Sequence, residues 1–382
     1  MVQMPFMAFD ELIPDYLRSL DRYIAGKSVR RAESESGIQC VKLASNENPF
    51  GPSPLALEAI RASSAGVNFY PSYDDFDLPS ALAKKHGLTR DQIMVTAGST
   101  AFLDLVCRTL LRPGLNAVTS ERSFIQYPLL VGIAGGKLIE APMHNDSFDL
   151  DAILRAITSE TRVVFLANPN NPTGTLLGTE QIDKFLDRVP QHLLVVLDEA
   201  YSDFANDFAR RRGVEYSHSE RYVREGRQVV VLRTFSKAHG LAGLRVGYGF
   251  GTAEIIGYLA RVRTIFSVSE LAEAAALAAL DDRAHLERVL HNNHEGAKWL
   301  LRELQELGLR ALPTWGNFIY FEVAEAAREV AARLQAEGII VRPLTAWGIP
   351  NAIRVTIGTR EQNQLFISAL QRCLSHPAVT AR

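Results

Sequence analysis

The chain has 382 residues, 47% apolar and 22% charged, with a formal net charge of −2. That balance excludes a disordered chain, leaves no basic face for nucleic acid, and offers no run of about 18 apolar residues to span a membrane. At roughly 150 residues per domain, the length suits two domains or three.

In chain order, the first 45 residues are mixed and lead into "VKLASNENPFGPSP", a short strand followed by a Pro/Gly loop. Periodicity predicts helices over "PLALEAIRAS" and "DLPSALAKKHG", a strand at "DQIMVTAGS" and a helix at "TAFLDLVCRTLL". Next come the strand "NAVTSE", the helix "YPLLVGIAGG", the strand "KLIEAP", the helix "DLDAILRAIT" and the strand "RVVFLANP". The helix "GTEQIDKFLDRVP" and the strands "LLVVLDEAY" and "QVVVLRTFS" complete this part. The basic run Arg210–Arg212 reads as a solvated face or loop. Beyond residue 270 the long stretch "SELAEAAALAALDDRAHLERVLHNNHEGAKWLLRELQELG" reads as helical. The strands "NFIYFEV", "IIVRPL" and "AIRVTIG" follow, with the helix "AAREVAARLQAEG" between the first two. The fold class is therefore α/β: a three-layer large domain around a mainly parallel sheet, plus a smaller α+β domain. The expected division is 46–270 for the large domain and 271–382 for the small one, with residues 1–45 packing on the latter. Cys40, Cys107 and Cys373 are far apart, and the N-terminus carries no signal-peptide pattern; both read as reduced thiols in a cytoplasmic protein. The histidines show no metal spacing, so no metal is expected.

Ligands of open parallel sheets sit beyond the carboxyl ends of the strands. Four such ends carry polar residues: "AGST" (97–100), "NPNNPTG" (168–174), "DEAY" (198–201) and "TFSK" (234–237). Ser99 and Thr100 open a helix, whose free N–H groups suit a phosphate, and Ser236 and Arg245 add donors on either side of Lys237. A cation such as Arg245 beside Lys237 makes its amine easier to deprotonate, and a neutral amine condenses with aldehydes. Pyridoxal 5′-phosphate asks for this set. Asp198 would pair with its ring nitrogen, Asn171 and Tyr201 would hydrogen-bond its ring hydroxyl, and Phe124 would lie on the ring face.

"ANPNNPTGT", "VVLDEAYSDF" and "TFSKAHGLAGLRVGY", in this order, resemble the fold-type-I aminotransferases, and most closely the histidinol-phosphate aminotransferase family. The likeness runs nearly end to end, through "YIAGK", "LASNENPFGPSP" and "FYPSYDDFDL" to "GIIVRPLTAWGIPNAIRVTIGTREQN". It implies that Lys237 is the Schiff-base lysine and proton shuttle, and that Ser99, Thr100, Ser236 and Arg245 hold the phosphate. It implies that Tyr70 reaches the cofactor of a neighbouring subunit in a homodimer. It implies that Arg354 and Arg342 clamp substrate anions, with Tyr23, Asn46 and Asn317 at the substrate. The activity implied is ping-pong transamination between histidinol phosphate and 2-oxoglutarate. Departures from the family cluster at the substrate side: "GSTA" lacks the usual acidic pair, Arg122 sits in "RSF", Ile265 and Ser267 replace Pro and Asn, and Trp315 neighbours Asn317. They keep open an aromatic amino-acid aminotransferase and a lyase resembling threonine-phosphate decarboxylase. Trp315 and Trp347 read as core or rim, and Tyr73 and Tyr127 receive no role.

Overall fold

In the computed structural model, residues 9–20, 29–72 and 77–375 are described. Twelve strands matter for the site, numbered in chain order: β1 (Val41–Lys42), β2 (Ile93–Thr96), β3 (Asn116–Ser120), β4 (Lys137–Ala141), β5 (Thr161–Ala167), β6 (Leu194–Asp198), β7 (Val229–Thr234), β8 (Gly247–Phe250), β9 (Phe318–Glu322), β10 (Ile339–Ile340), β11 (Arg342–Pro343) and β12 (Ala352–Thr356). The large sheet runs β2-β8-β7-β6-β5-β3-β4. Every neighbouring pair is parallel except those made by β8, which is antiparallel to both β2 and β7. The central strands are mostly apolar and buried, as strands covered by helices on both faces must be. Asp198 is the one carboxylate in the run "LVVLD", and the register sets it beside Ala167 and Leu232.

Local signals explain the helices. In α1 (Pro54–Ser63), proline takes the first turn and Ser53 Oγ accepts the N–H of Ala56 at 3.1 Å. The expected single helix after residue 269 is two, α2 (Glu270–Asp281) and α3 (Arg283–Glu306), because Asp282 leaves helical geometry and caps the second by accepting from His285 N at 3.1 Å. "IIVRPL" likewise divides at Val341: β10 pairs in parallel with β1, while β11 turns to pair antiparallel with β12. The Gly-rich strand β8 was not expected, nor were the helices Ser202–Arg212, Ala253–Arg261 and Arg360–Ser375. Arg210 and Arg211 lie in the last turn of the first of these, where they pair with Asp207 four or fewer residues back.

Two apolar cores result. The larger surrounds the seven-stranded sheet and takes Ala272–Ala279 from α2. The smaller is built on a three-stranded sheet, ordered β9-β12-β11, with α3, and it recruits Leu43 from the N-terminal segment. Among the described residues no helix is long and apolar enough to cross a membrane.

Candidate active site

The carboxyl ends of β2, β5, β6 and β7 open into a cavity of about 300 Å³, whose opposite wall comes from β11, β12 and the loop after β1. Ser99, Thr100, Phe124, Asn171, Asp198, Tyr201, Ser236, Lys237, Arg245, Arg342, Arg354 and Asn46 all line it. The fold thus brings together residues drawn from eight separate stretches of sequence.

At one end is an anion cradle. Gly98 has φ 85°, and the helix Ser99–Leu110 starts directly after it. A Cβ on Gly98 would meet the Arg245 guanidinium at 2.6 Å, and one on Gly247 would meet the backbone N of Ser99 at 2.6 Å. Glycine at both positions lets a guanidinium and a helix N-terminus close on one spot. Arg245 is itself oriented by donating to Ala242 O at 2.8 Å and lies 3.5 Å from Ser236 Oγ.

Lys237 lies at the centre and donates from Nζ to Ser45 O at 3.1 Å. Its pKa falls to about 7, chiefly through burial and next through the charge of Arg354; Glu47 opposes the shift, while Arg245 and Lys42 add to it. Arg245 is thus a lesser cause than the sequence suggested. Opposite stands Asp198, 5% exposed. It accepts from Tyr127 Oη at 3.0 Å and from Ala200 N at 3.2 Å. Burial lifts its pKa to about 6 against those two donors. Tyr127 stacks on Phe165, its ring centroid 4.7 Å away, and meets Phe124 edge-on at 5.5 Å. It had no role in the sequence reading. Its place one turn after Phe124 in "SFIQY" was the available signal, and that pattern also fits plain core packing.

Arg354 is 5% exposed; it donates to Asn171 Oδ1 and, at 2.9 Å, to Ala44 O. Arg342 is its direct cross-strand partner. Tyr201 Oη, held above its ordinary pKa by burial, accepts from Asn46 Nδ2 at 2.8 Å. Asn46 has φ 58°, and its backbone is fixed by Thr356 Oγ1 at 2.9 Å and Asn317 Nδ2 at 3.0 Å. Asn317 therefore stands behind Asn46, outside the cavity lining. Trp315 also lies away from the cavity, packed against Phe208 with Arg212 stacked 4.3 Å over its ring. Trp347, read as core or rim, does line the cavity. Tyr70 is outside it, 83% exposed and stacked on Phe266 at 4.9 Å. Tyr23 and Tyr73 lie outside the described residues.

The family model for aminotransferase class I and II matches residues 38–370. The chain belongs to that family. A histidinol-phosphate aminotransferase of Akkermansia muciniphila is 42% identical, over 96% of this chain and 100% of that protein. The crystal structure of histidinol-phosphate aminotransferase from Sinorhizobium meliloti in complex with pyridoxal 5′-phosphate superposes with a TM-score of 0.85 at 29% identity, covering 96% of this chain and 98% of that one. An aspartate aminotransferase from Thermus thermophilus with maleate shares the fold, with a TM-score of 0.79 at 24% identity over 94% of this chain and 98% of that one. The aminotransferase fold explains why the cavity sits where a parallel sheet ends against a second, smaller sheet.

Proposed function

We propose that the chain is a pyridoxal-phosphate-dependent aminotransferase that moves the amino group of histidinol phosphate to 2-oxoglutarate. One observation carries the substrate class. Arg342 and Arg354 are paired directly across two strands and both line the cavity. Like charges so placed destabilise a sheet unless an anion lies between them. A phosphate monoester on one substrate and the distal carboxylate of the other both meet that need through forked hydrogen bonds. The curated relative of this name, aligned over its full length, supports the same reading.

The residues present fit the cofactor: the cradle is shaped by two glycines where a Cβ would crowd the Arg245 guanidinium and the Ser99 backbone N, and burial brings the pKa of the nearest amine down to about 7. Pyridoxal phosphate, when bound, supplies an aldehyde carbon that captures amines and a protonated ring that accepts the electron pair left at the substrate Cα. Ser99, Thr100, Ser236 and Arg245 hold its phosphate. The Asp198 carboxylate keeps the ring nitrogen protonated. Two opposite charges in contact are worth up to about 4 kcal/mol at an effective dielectric near 20. Tyr201 and the Asn171 amide N–H would hydrogen-bond the ring hydroxyl, and Phe124 would pack on the ring; all three line the cavity. Lys237 Nζ would be the amine that holds the aldehyde, and its free form would accept the proton from the substrate Cα and give it back. Asn46 orients Tyr201 and borders the substrate, and Arg342 and Arg354 hold the substrate anion. The aromatic alternative leaned on Trp315, which touches Phe208 and Arg212 rather than the cavity. Nothing in the site favours the lyase.

A homodimer is part of this proposal. Phe69, Tyr70, Ile265 and Phe266 are large, apolar and exposed, and Tyr70 and Phe266 stack on each other. The two cores support a large and a small unit, the N-terminal segment siding with the small one, with the junction at Asp282 rather than residue 270. Cys107 and Cys373 are buried thiols outside any disulfide, which suits a cytoplasmic enzyme.

Steady-state kinetics test the function. Histidinol phosphate and 2-oxoglutarate should give the parallel reciprocal plots of a ping-pong reaction, with kcat/KM at least about tenfold above that for phenylalanine. Lys237→Ala should lose nearly all turnover. Phenylalanine winning by a similar margin overturns the substrate assignment; full activity in the Lys237 variant overturns the mechanism.

A further inference from the structure

The catalytic cavity has a neighbour. A second space of about 290 Å³ lies beyond a wall made of Phe124, Ile125 and Trp347, the residues that face both. Its other lining is largely polar and includes Thr119, Ser120, Arg122 and Glu140. Phe124 and Ile125 follow strand β3 of the large sheet. Trp347 comes from the other side, at the end of the short 3-10 turn Thr345–Trp347 between β11 and β12.

Trp347 is held in place. Its indole N–H donates to Ser123 O at 2.8 Å, across the seam between the two cores. That acceptor is itself anchored. Ser123 Oγ donates to Asn170 Oδ1 at 3.0 Å, and Asn170 Nδ2 donates to Arg122 O at 3.1 Å and Thr173 Oγ1 at 2.9 Å. The next residue, Asn171, lines the catalytic cavity. The Trp347 ring centre is 6.0 Å from the Arg354 guanidinium carbon. A large ring between two spaces would otherwise swing into either; a single well-made hydrogen bond from its one polar atom stops it.

We propose that Trp347 determines amino-donor specificity as a pinned wall. It confines the donor side chain to the part of the cavity served by Arg342 and Arg354, and it shuts off the polar side space. That space would take donors with a bulky side chain in place of a phosphate. The proposal rests on the cavity being the amino-donor site.

Trp347→Ala joins the two spaces; Trp347→Phe keeps a ring but removes the N–H donor. Absorbance of bound pyridoxal phosphate checks that each variant is folded and loaded. For Trp347→Ala the KM for histidinol phosphate should rise at least about tenfold with a smaller change in kcat, while kcat/KM for tryptophan as donor rises at least about tenfold. Trp347→Phe should fall between the unaltered chain and the alanine variant, retaining preference for the phosphorylated donor. Indole-3-propionate, an unreactive acid, reads the same wall without turnover: calorimetry should show it binding Trp347→Ala at least about tenfold more tightly than the unaltered protein. Trp347→Leu covers the case in which alanine proves unstable. Donor preference and indole-3-propionate affinity that both stay within about twofold of the unaltered protein overturn the proposal. If the unaltered chain prefers phenylalanine over histidinol phosphate, the functional reading fails, and the ratio of tryptophan to phenylalanine turnover in the variants still decides the wall.

Discussion

A lysine amine in water keeps its proton to about pH 10.4. Burial, and next the charge of Arg354, lowers the pKa of Lys237 to about 7. Only the neutral amine attacks an aldehyde, so cofactor capture by the cofactor-free protein should quicken about tenfold per pH unit up to about 7 and level off above. Stopped-flow absorbance measures this; a rate still climbing at pH 9 would mean the amine is not perturbed. Asp198 carries the opposite problem, since burial favours its neutral form while the ring needs its charge. Tyr127 donates to the charged form, so Tyr127→Phe should raise the Asp198 pKa further. A hydrogen bond to a charged group is worth about 1.5–3 kcal/mol, which is about one to two pKa units. The acid limb of pyridoxal phosphate affinity for the cofactor-free protein should move up accordingly, with the greatest loss near pH 6 and the least at pH 8. A uniform loss across pH would mean Tyr127 only fills space. Asp198 and Lys237 were legible in the sequence because each ends an apolar strand with a charge that has no business in a core. Tyr127 and Trp347 were not. Their polar atoms act through contacts 71 and 224 residues away, and an aromatic in an apolar run looks the same whether or not its tip is used.

Among the elements, the pair β11–β12 concentrates the conflict between stability and binding. Arg342 opposite Arg354 is poor sheet chemistry. Replacing Arg342 with Gln should stabilise the ligand-free protein by about 0.2–1 kcal/mol in denaturant unfolding. The same change should raise the KM for histidinol phosphate about tenfold or more, through loss of a charged hydrogen bond. A destabilised variant with unchanged KM would assign Arg342 to the scaffold. Most elements could be read from periodicity, since long apolar runs bounded by Gly, Pro or Asp leave little choice. The failures share a cause in tertiary pairing. Gly247 and Gly249 make β8 look like a loop, and it is a strand because β2 and β7 flank it with free edges. "IIVRPL" splits because β1 claims its first half and β12 its second. Asn317 was placed at the substrate by the family resemblance; in the fold its amide props the Asn46 backbone from outside the cavity lining.

At the scale of the whole molecule, the exposed apolar side chains of Phe69, Tyr70, Ile265 and Phe266 ask for cover. Light scattering should give twice 42.2 kDa at micromolar concentration. Phe266→Asp should lower that mass toward one chain and weaken cofactor retention with it; a fully active monomer would remove Tyr70 from the site. The small sheet holds a different consequence. Its order is β9-β12-β11, so the strand made last is threaded between two made earlier. A ribosome that has finished β9 and β11 has left a gap the width of one strand, and Arg354, the cross-strand partner of Arg342, arrives only with the segment that fills it. That wall of the cavity is therefore incomplete at any intermediate length. Competence comes in a single late event, and a chain released short of residue 352 would display two unmatched strand edges for proteolysis or clumping.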